Sequence, residues 1–445
     1  VQKLIGNEKS QAHKKLQESC KFAGNFQPMC DMSSFEQPFS TSRKAKTKVN
    51  SCFSFVKKLV LTYSFIYSTI FSLQAQDYQI SLLTCDPGEE VYTTFGHSAI
   101  RVKDSIAGTD LVYNYGTFDF GAPFFLFNFT RRTLDYMLSV TTYDRFLFEY
   151  NYFQRNVREQ VLDLNPEQTA NMVQFLEINR LPENKFYRYD FFYDNCATRV
   201  RDVLETVLGK QLDWNDVNDP ERKTFRNLID EYVYPLPWAD FGIDLALGAV
   251  IDVNATEREK QFLPDYMEAA FARAQIVGDG PTRPLVKAQY EVLTFEEQAS
   301  SLNFFQPLII WWVLAIVFMG ITYLGFKKKR LYKGFDIAYF GILGIVGIVI
   351  TLLWFFTFHS QTKWNWNILW AFPGHLLLAI AMLKTTWKPW VKKYLLFLLI
   401  STNLALVCWV LGFQSFHPSI VPLLLISLLR SNFLYYNQEK FALLR

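Results

Sequence analysis

The chain has no marked excess of either charge: 45 lysines and arginines face 42 aspartates and glutamates, for a net +3. No basic stripe interleaved with aromatics occurs, so a nucleic-acid partner is not expected. Histidine and cysteine are scarce, with five and six residues. There is no metal-ligand spacing, Walker loop or dinucleotide fingerprint, so neither a metal nor another cofactor is expected. Before Asn303 long apolar runs are also lacking, apart from Leu59 to Leu73, and the chain reads there as an ordinary globular mixture.

What is present lies mostly after that point. Half of all residues are hydrophobic and 17% are aromatic, high for a soluble protein. Five apolar runs follow Asn303: Pro307 to Phe326, Ile337 to Phe358, Ile368 to Leu383, Tyr394 to Phe413, and Ile420 to Tyr436. The first, second and fourth are long enough to span a bilayer unaided. The third is short, and the fifth contains Arg430, which must snorkel or face the bundle. Lys327 to Arg330 and Lys333 crowd the first connection, and Lys384, Lys388, Lys392 and Lys393 the third. The second holds only Lys363 and the fourth no lysine or arginine. Positive charge marks the cytoplasmic side, so the first and third connections are inside and everything before Pro307 is outside.

The N-terminal pattern agrees. Lys57-Lys58, the apolar run and Gln74-Ala75-Gln76 have the order of a signal peptide at 57–75. The polar segment 1–56 opens on Val1 and reads as disordered or as a misassigned start; no function is assigned to it. Cleavage would leave Cys85, Cys196 and Cys408, the last inside an apolar run, where cysteine behaves as a small hydrophobe. Four histidines remain. His359, His417 and, just below them, His375 gather at the outer surface of the bundle, beside the exported domain.

In the exported segment, Tyr78 to Thr84 alternates like a strand and Cys85-Asp86-Pro87-Gly88 is a turn. Glu89 to Phe95 has the pattern of a short helix, Gly96 to Val102 that of a strand with His97 at its start, and Leu111 to Gly116 that of a second strand. Pro166 to Arg180 predicts an amphipathic helix with proline in its first turn. The richest stretch is Tyr187 to Asp202, YRYDFFYDNCATRVRD. Its aromatic extended part runs into Asp194-Asn195, natural N-cap residues, and apolar Val200, Val203, Leu204, Val207 and Leu208 then recur at helical spacing up to Gly209. Cys196 falls in the first turn, where backbone N–H groups and the helix dipole favour thiolate. A helix-start cysteine with a strand histidine is the arrangement of nucleophilic thiol catalysis. A core histidine and a Cys85–Cys196 disulfide are the bland readings of the same residues.

The strings Ile80 to Val102 (ISLLTCDPGEEVYTTFGHSAIRV), Val112 to Phe120 (VYNYGTFDF), Tyr187 to Asp202, Leu245 to Met267 (LALGAVIDVNATEREKQFLPDYM) and His359 to Leu376 (HSQTKWNWNILWAFPGHL) resemble a bacterial lipoprotein N-acyltransferase family. The resemblance implies an α+β fold: an exported, permuted papain-like (NlpC-type) domain at 76–303, followed by an all-α transmembrane bundle of about five helices at 304–445. It implies residence in the bacterial inner membrane, with the catalytic domain in the periplasm. Cys196 is then the nucleophile and His97 its base. Asn114 is the first choice to orient the imidazole, with Asp119 and Tyr115 as competitors. Arg199 and Arg201 either pair locally or contact an anionic headgroup, and His359 and Asn367 are candidate substrate-binding residues of the bundle. The implied reaction moves an acyl chain from a phospholipid, through a Cys196 thioester, to the N-terminal amine of a lipoprotein. Two rivals use the same residues: a cell-wall peptidase or amidase, and a non-enzymatic membrane scaffold stapled by Cys85–Cys196.

Overall fold

The computed structural model describes residues 77–443, apart from 89, 91, 217–221, 279, 297–303 and 385. The segment 1–56 and the expected signal peptide lie outside the described residues.

The exported part is built on one antiparallel sheet of seven strands: β1 Tyr78–Cys85, β2 His97–Asp104, β3 Thr109–Thr117, β4 Asp135–Thr142, β5 Val157–Leu162, β6 Phe186–Arg188 and β7 Val286–Leu293. Their spatial order is β7-β5-β1-β2-β3-β4-β6. Because side chains alternate, each central strand buries two sets of residues. Ile80, Leu82, Ile100, Val102, Tyr113 and Tyr115 share one core with the helices α3 Pro166–Asn179, α4 Cys196–Leu208 and α7 Pro264–Arg273. Leu83, Cys85, Ala99, Val112 and Val157 pack on the other face, against Phe146 and Tyr150 of helix α2 Tyr143–Tyr152. A short helix, α1 Phe125–Arg131, precedes β4, and α5 Phe225–Val233 and α6 Pro237–Ala246 lie between α4 and α7.

Segment Tyr92–Phe95 is a turn and not the expected helix. Thr93 N–H bonds Glu90 C=O and Gly96 N–H bonds Thr93 C=O, and Gly96, at φ 73°, redirects the chain into β2.

The bundle comprises α8 Pro307–Lys328, α9 Lys333–Phe356, α10 Gly374–Met382, α11 Pro389–Val410 and α12 Ile420–Asn437. Among the described residues α8, α9 and α11 are long and apolar enough to cross a membrane. The 3₁₀ turn Trp366–Leu369 leads into the short α10. Arg430 faces the interior: fully buried, it forms a two-point pair with Asp336 of α9 at 2.6 and 2.7 Å and donates to Thr322 of α8 at 2.8 Å. Removing one partner of such a buried pair costs about 3–5 kcal/mol.

The side chosen from loop charges has geometric counterparts. Lys333 Nζ donates to the carbonyls of Leu383 and Lys384, so the first and third connections lie together. Arg330–Leu331 pairs with Ala442–Leu443, which returns the chain's end to that same side after four further helices. The opposite ends meet the exported part: Trp238 packs on Phe305 and Trp311, and His417 lies 3.3 Å from Asp240.

Candidate active site

Cys196 sits where α4 begins, and the helix begins there because of Asn195. The Asn195 side chain accepts from Thr198 N–H at 2.9 Å while Thr198 Oγ1 accepts from Asn195 N–H at 2.7 Å. This reciprocal cap is worth about 1 kcal/mol. Asn195 Nδ2 also donates to the carbonyls of Phe191 (2.8 Å) and Phe262 (2.7 Å), which fixes the cap against the start of α7. The approach to the helix is equally held: Asp190 Oδ1 accepts from Phe192 and Tyr193 N–H, and Asp190 and Asp194 exchange backbone bonds.

The backbone amides of Ser98, of Ala197 and of Cys196 itself favour the charged form of the Cys196 thiol. Ser98 directly follows His97, so β2 brings the imidazole to the same end of the sheet as the helix start. Burial nevertheless raises the thiol above its ordinary value, against these three amides and the Arg155 cation. The thiolate expected from helix position is therefore not the resting form: desolvation outweighs the dipole. His97 Nε2 meets Asn114 Oδ1 at 3.2 Å, and Asn114 Nδ2 donates to Val112 C=O, which orients the amide. Nε2 therefore carries the proton, and Nδ1 keeps the lone pair of a base. Burial lowers His97 to about 4, with Arg155 adding to the effect and the Asn114 bond opposing it. A neutral base and a neutral thiol face this end of the sheet; no hydrogen bond joins them in the resting structure.

Gly116 borders Cys196. It lies at φ 84° within the register shift of β3 against β4, and a Cβ there would stand 3.4 Å from Cys196 Cβ and 3.7 Å from the Tyr189 ring.

The other anticipated residues are placed as follows. The Asp119 carboxylate accepts from Gly121 N–H and Tyr115 OH donates to Asn179, and among the described residues neither bonds the imidazole. Arg199 pairs with Asp194 and lies 4.0 Å over the Tyr187 ring. Arg201 is buried, paired with Asp202 at 2.7 Å and donating to Arg258 C=O at 2.9 Å. Both guanidiniums pair locally, and Arg201 has no surface from which to meet a headgroup. Asn367 is buried too: its Nδ2 donates to the carbonyls of Asp244 and Leu245, and its Oδ1 accepts from Trp370, so it joins the bundle to α6. His359 Nε2 lies 3.0 Å from Thr130 C=O in α1. Cys85, Cys196 and Cys408 are all free. Cys85 faces Tyr150 across the sheet from α4, and burial pushes its thiol up to about 12, so the scaffold's disulfide is not formed.

Three residues were not anticipated. Arg132, at φ 58° after α1, pairs with Asp190 at 2.5 Å and donates to Tyr189 C=O and to Phe358 C=O of the bundle. Gln361 donates to Asp190 Oδ1 at 2.8 Å. Arg155 is held by Asp86 C=O. Their partners are distant in the chain, so only Asp190, inside the aromatic run, offered a sequence signal. Asp230, Asp240 and Asp244 bring oxygens within 4.8 Å of one another, but Arg226 meets Asp244 at 2.5 Å and His417 lies 3.3 Å from Asp240, so two of the three carboxylates already have protein partners.

A half-buried thiol at a helix start and a neutral imidazole at the same end of one sheet, in a chain that carries a membrane bundle, define a membrane-anchored α+β protein with a candidate thiol–imidazole site. Residues 67–231 match the Lnb N-terminal periplasmic domain and residues 297–440 the Lnb transmembrane domain. The chain belongs to the Lnb family, a membrane protein with a periplasmic domain, and this membership points to a role related to lipoprotein N-acylation. No curated protein and no solved structure matches it.

Proposed function

We propose that the protein is a Cys-dependent acyltransferase that carries an acyl chain from a phospholipid to the N-terminal amine of a lipoprotein. The observation that carries this reading is the Cys196 thiol at a capped helix start, at the end of the sheet where His97 begins β2 with Nε2 on Asn114 and Nδ1 left as a base. His97 takes the thiol proton as sulfur attacks the ester carbonyl. The oxyanion is stabilised by backbone amides at the start of α4. Collapse expels the glycerol oxygen, which takes the proton from His97 and departs as a lysophospholipid. The lipoprotein amine then attacks the thioester, His97 accepts its proton, and the thiol is restored as the amide forms. Both substrates live in the bilayer, which accounts for a catalytic domain clamped to a bundle where a tether would serve a soluble substrate.

Intact mass spectrometry of the full chain incubated with phospholipid tests this. One acyl mass should appear on Cys196 and be discharged by a diacylglyceryl-cysteine peptide. Cleavage of muropeptides without any acyl adduct would make the protein a cell-wall peptidase instead.

A further inference from the structure

Helix α1 has no buried residue. Phe124 is 82% exposed, Leu126 74% and Phe127 58%, with Phe120 and Phe129 exposed beside them. Phe124, Leu126 and Phe127 gain little from folding onto the exported domain, and a surface this apolar marks contact with something else. The adjoining structure indicates what. Arg131 C=O accepts from Phe358 N–H at 3.1 Å and Thr130 C=O contacts His359, two and three residues past the end of the membrane-spanning α9. Phe355, Phe356 and Phe358 at that end are themselves exposed. The apolar face of α1 thus continues the lipid-facing surface of a membrane helix at its outer end. Arg131 stands at the rim, its guanidinium over the Phe127 and Phe358 rings.

An unbroken aromatic wall leads from this surface to the thiol. Phe125 stacks on Phe118 at 5.8 Å, Phe118 meets Tyr136 at 5.1 Å, and Tyr136 stacks on Tyr189 at 4.4 Å. Tyr189 and Cys196 together border Gly116.

We propose that residues 118–129 form a lip that enters the outer leaflet of the membrane, and that a phospholipid acyl chain crosses along its aromatic wall to reach Cys196. The second half of this rests on the acyl-transfer reading; the first does not. An apolar wall keeps the chain out of water during the crossing, which a lipid leaving the bilayer otherwise cannot avoid.

The test uses the full chain in vesicles of phosphatidylethanolamine and phosphatidylglycerol, with Phe124→p-azidophenylalanine. Illumination should yield phospholipid adducts at position 124, and none at a matched probe replacing Ile106, an exposed residue in the turn after β2, beyond the end opposite His97. The triple variant Phe124→Ser, Leu126→Ser, Phe127→Ser should lower the rate of acyl-adduct formation on Cys196 at least tenfold, with iodoacetamide alkylation of Cys196 unchanged. Leucine at the two phenylalanine positions, with Leu126 retained, should keep most of the rate. Cross-links from position 124 to protein and not to lipid would overturn the lip, as would equal lipid adducts at position 106. A lipid adduct with normal acylation by the serine variant would overturn the crossing route. A wild-type protein that cross-links lipid yet never acquires an acyl group defeats the acyltransferase reading and leaves the membrane contact standing.

Discussion

At the scale of single residues, the site runs on a neutral pair. Desolvation holds the half-buried thiol above its ordinary value and His97 near 4, so His97 does not rest as an imidazolium, and in the proposed mechanism it serves as a general base. The sign of the pH dependence follows. His97 in the folded protein titrates below the ordinary 6.5, so its neutral form, and the stability it carries, is present above 6.5 and is lost as pH falls through about 4. The rate of acyl-adduct formation should therefore hold from pH 7.5 to 5.5 and collapse near pH 4; a midpoint at 6.5 would show an ordinary, solvated imidazole. Asn114→Ala releases Nε2 and lets the wrong tautomer form. It should slow adduct formation about ten- to a hundredfold, with the fold intact by circular dichroism.

Elements meet at a few points where there is no spare volume. Gly248, after α6, donates its N–H to Gln361 C=O at 2.9 Å, and Ala249 donates to Trp364 C=O at 3.0 Å, forming a two-bond clamp between the exported domain and the loop after α9. A Cβ on Gly248 would lie 1.9 Å from Lys363 O, a backbone atom that cannot swing aside. Gly248→Ala should cost about 1–3 kcal/mol, the range for overpacking. It should appear as a lower melting temperature and as new proteolytic cuts between residues 357 and 367. Unchanged melting would mean that the clamp is not made.

For the molecule as a whole, the bundle buttresses the turn that leads into Cys196 as well as anchoring the exported domain. Gln361 and Arg132 converge on Asp190, which also holds the turn ahead of Cys196. Thiol reactivity is accordingly not a local property of α4. Gln361→Ala removes a hydrogen bond to a charged group, worth about 1.5–3 kcal/mol. It should slow alkylation of Cys196 severalfold, although position 361 belongs to the membrane domain. Alkylation at the wild-type rate would show that the exported domain sets the site unaided.

Much of this was readable in the chain by itself, because the signals are local. Asn195 and Thr198 lie three residues apart, so the cap and the start of α4 follow from hydrogen-bond reach along one turn. Apolar length and lysine placement, likewise local, indicate spans and sidedness. The strands β4 to β7 and the helix α1 were not legible: β6 has three residues, β7 is exposed along much of its length, and α1 has no buried face to create a period. Only the tertiary structure could decide how Cys196 is protonated, since burial by residues far along the chain overrides a dipole visible in sequence. The same holds for Arg201 and Asn367, polar residues that read as candidate ligands until their partners, at Arg258 and Asp244, came into contact. Sequence determines what each short segment can do, because caps, periods and spans act within a few residues. Which of those capacities is used depends on desolvation and on pairings across the fold, and these exist only once the chain has closed on itself.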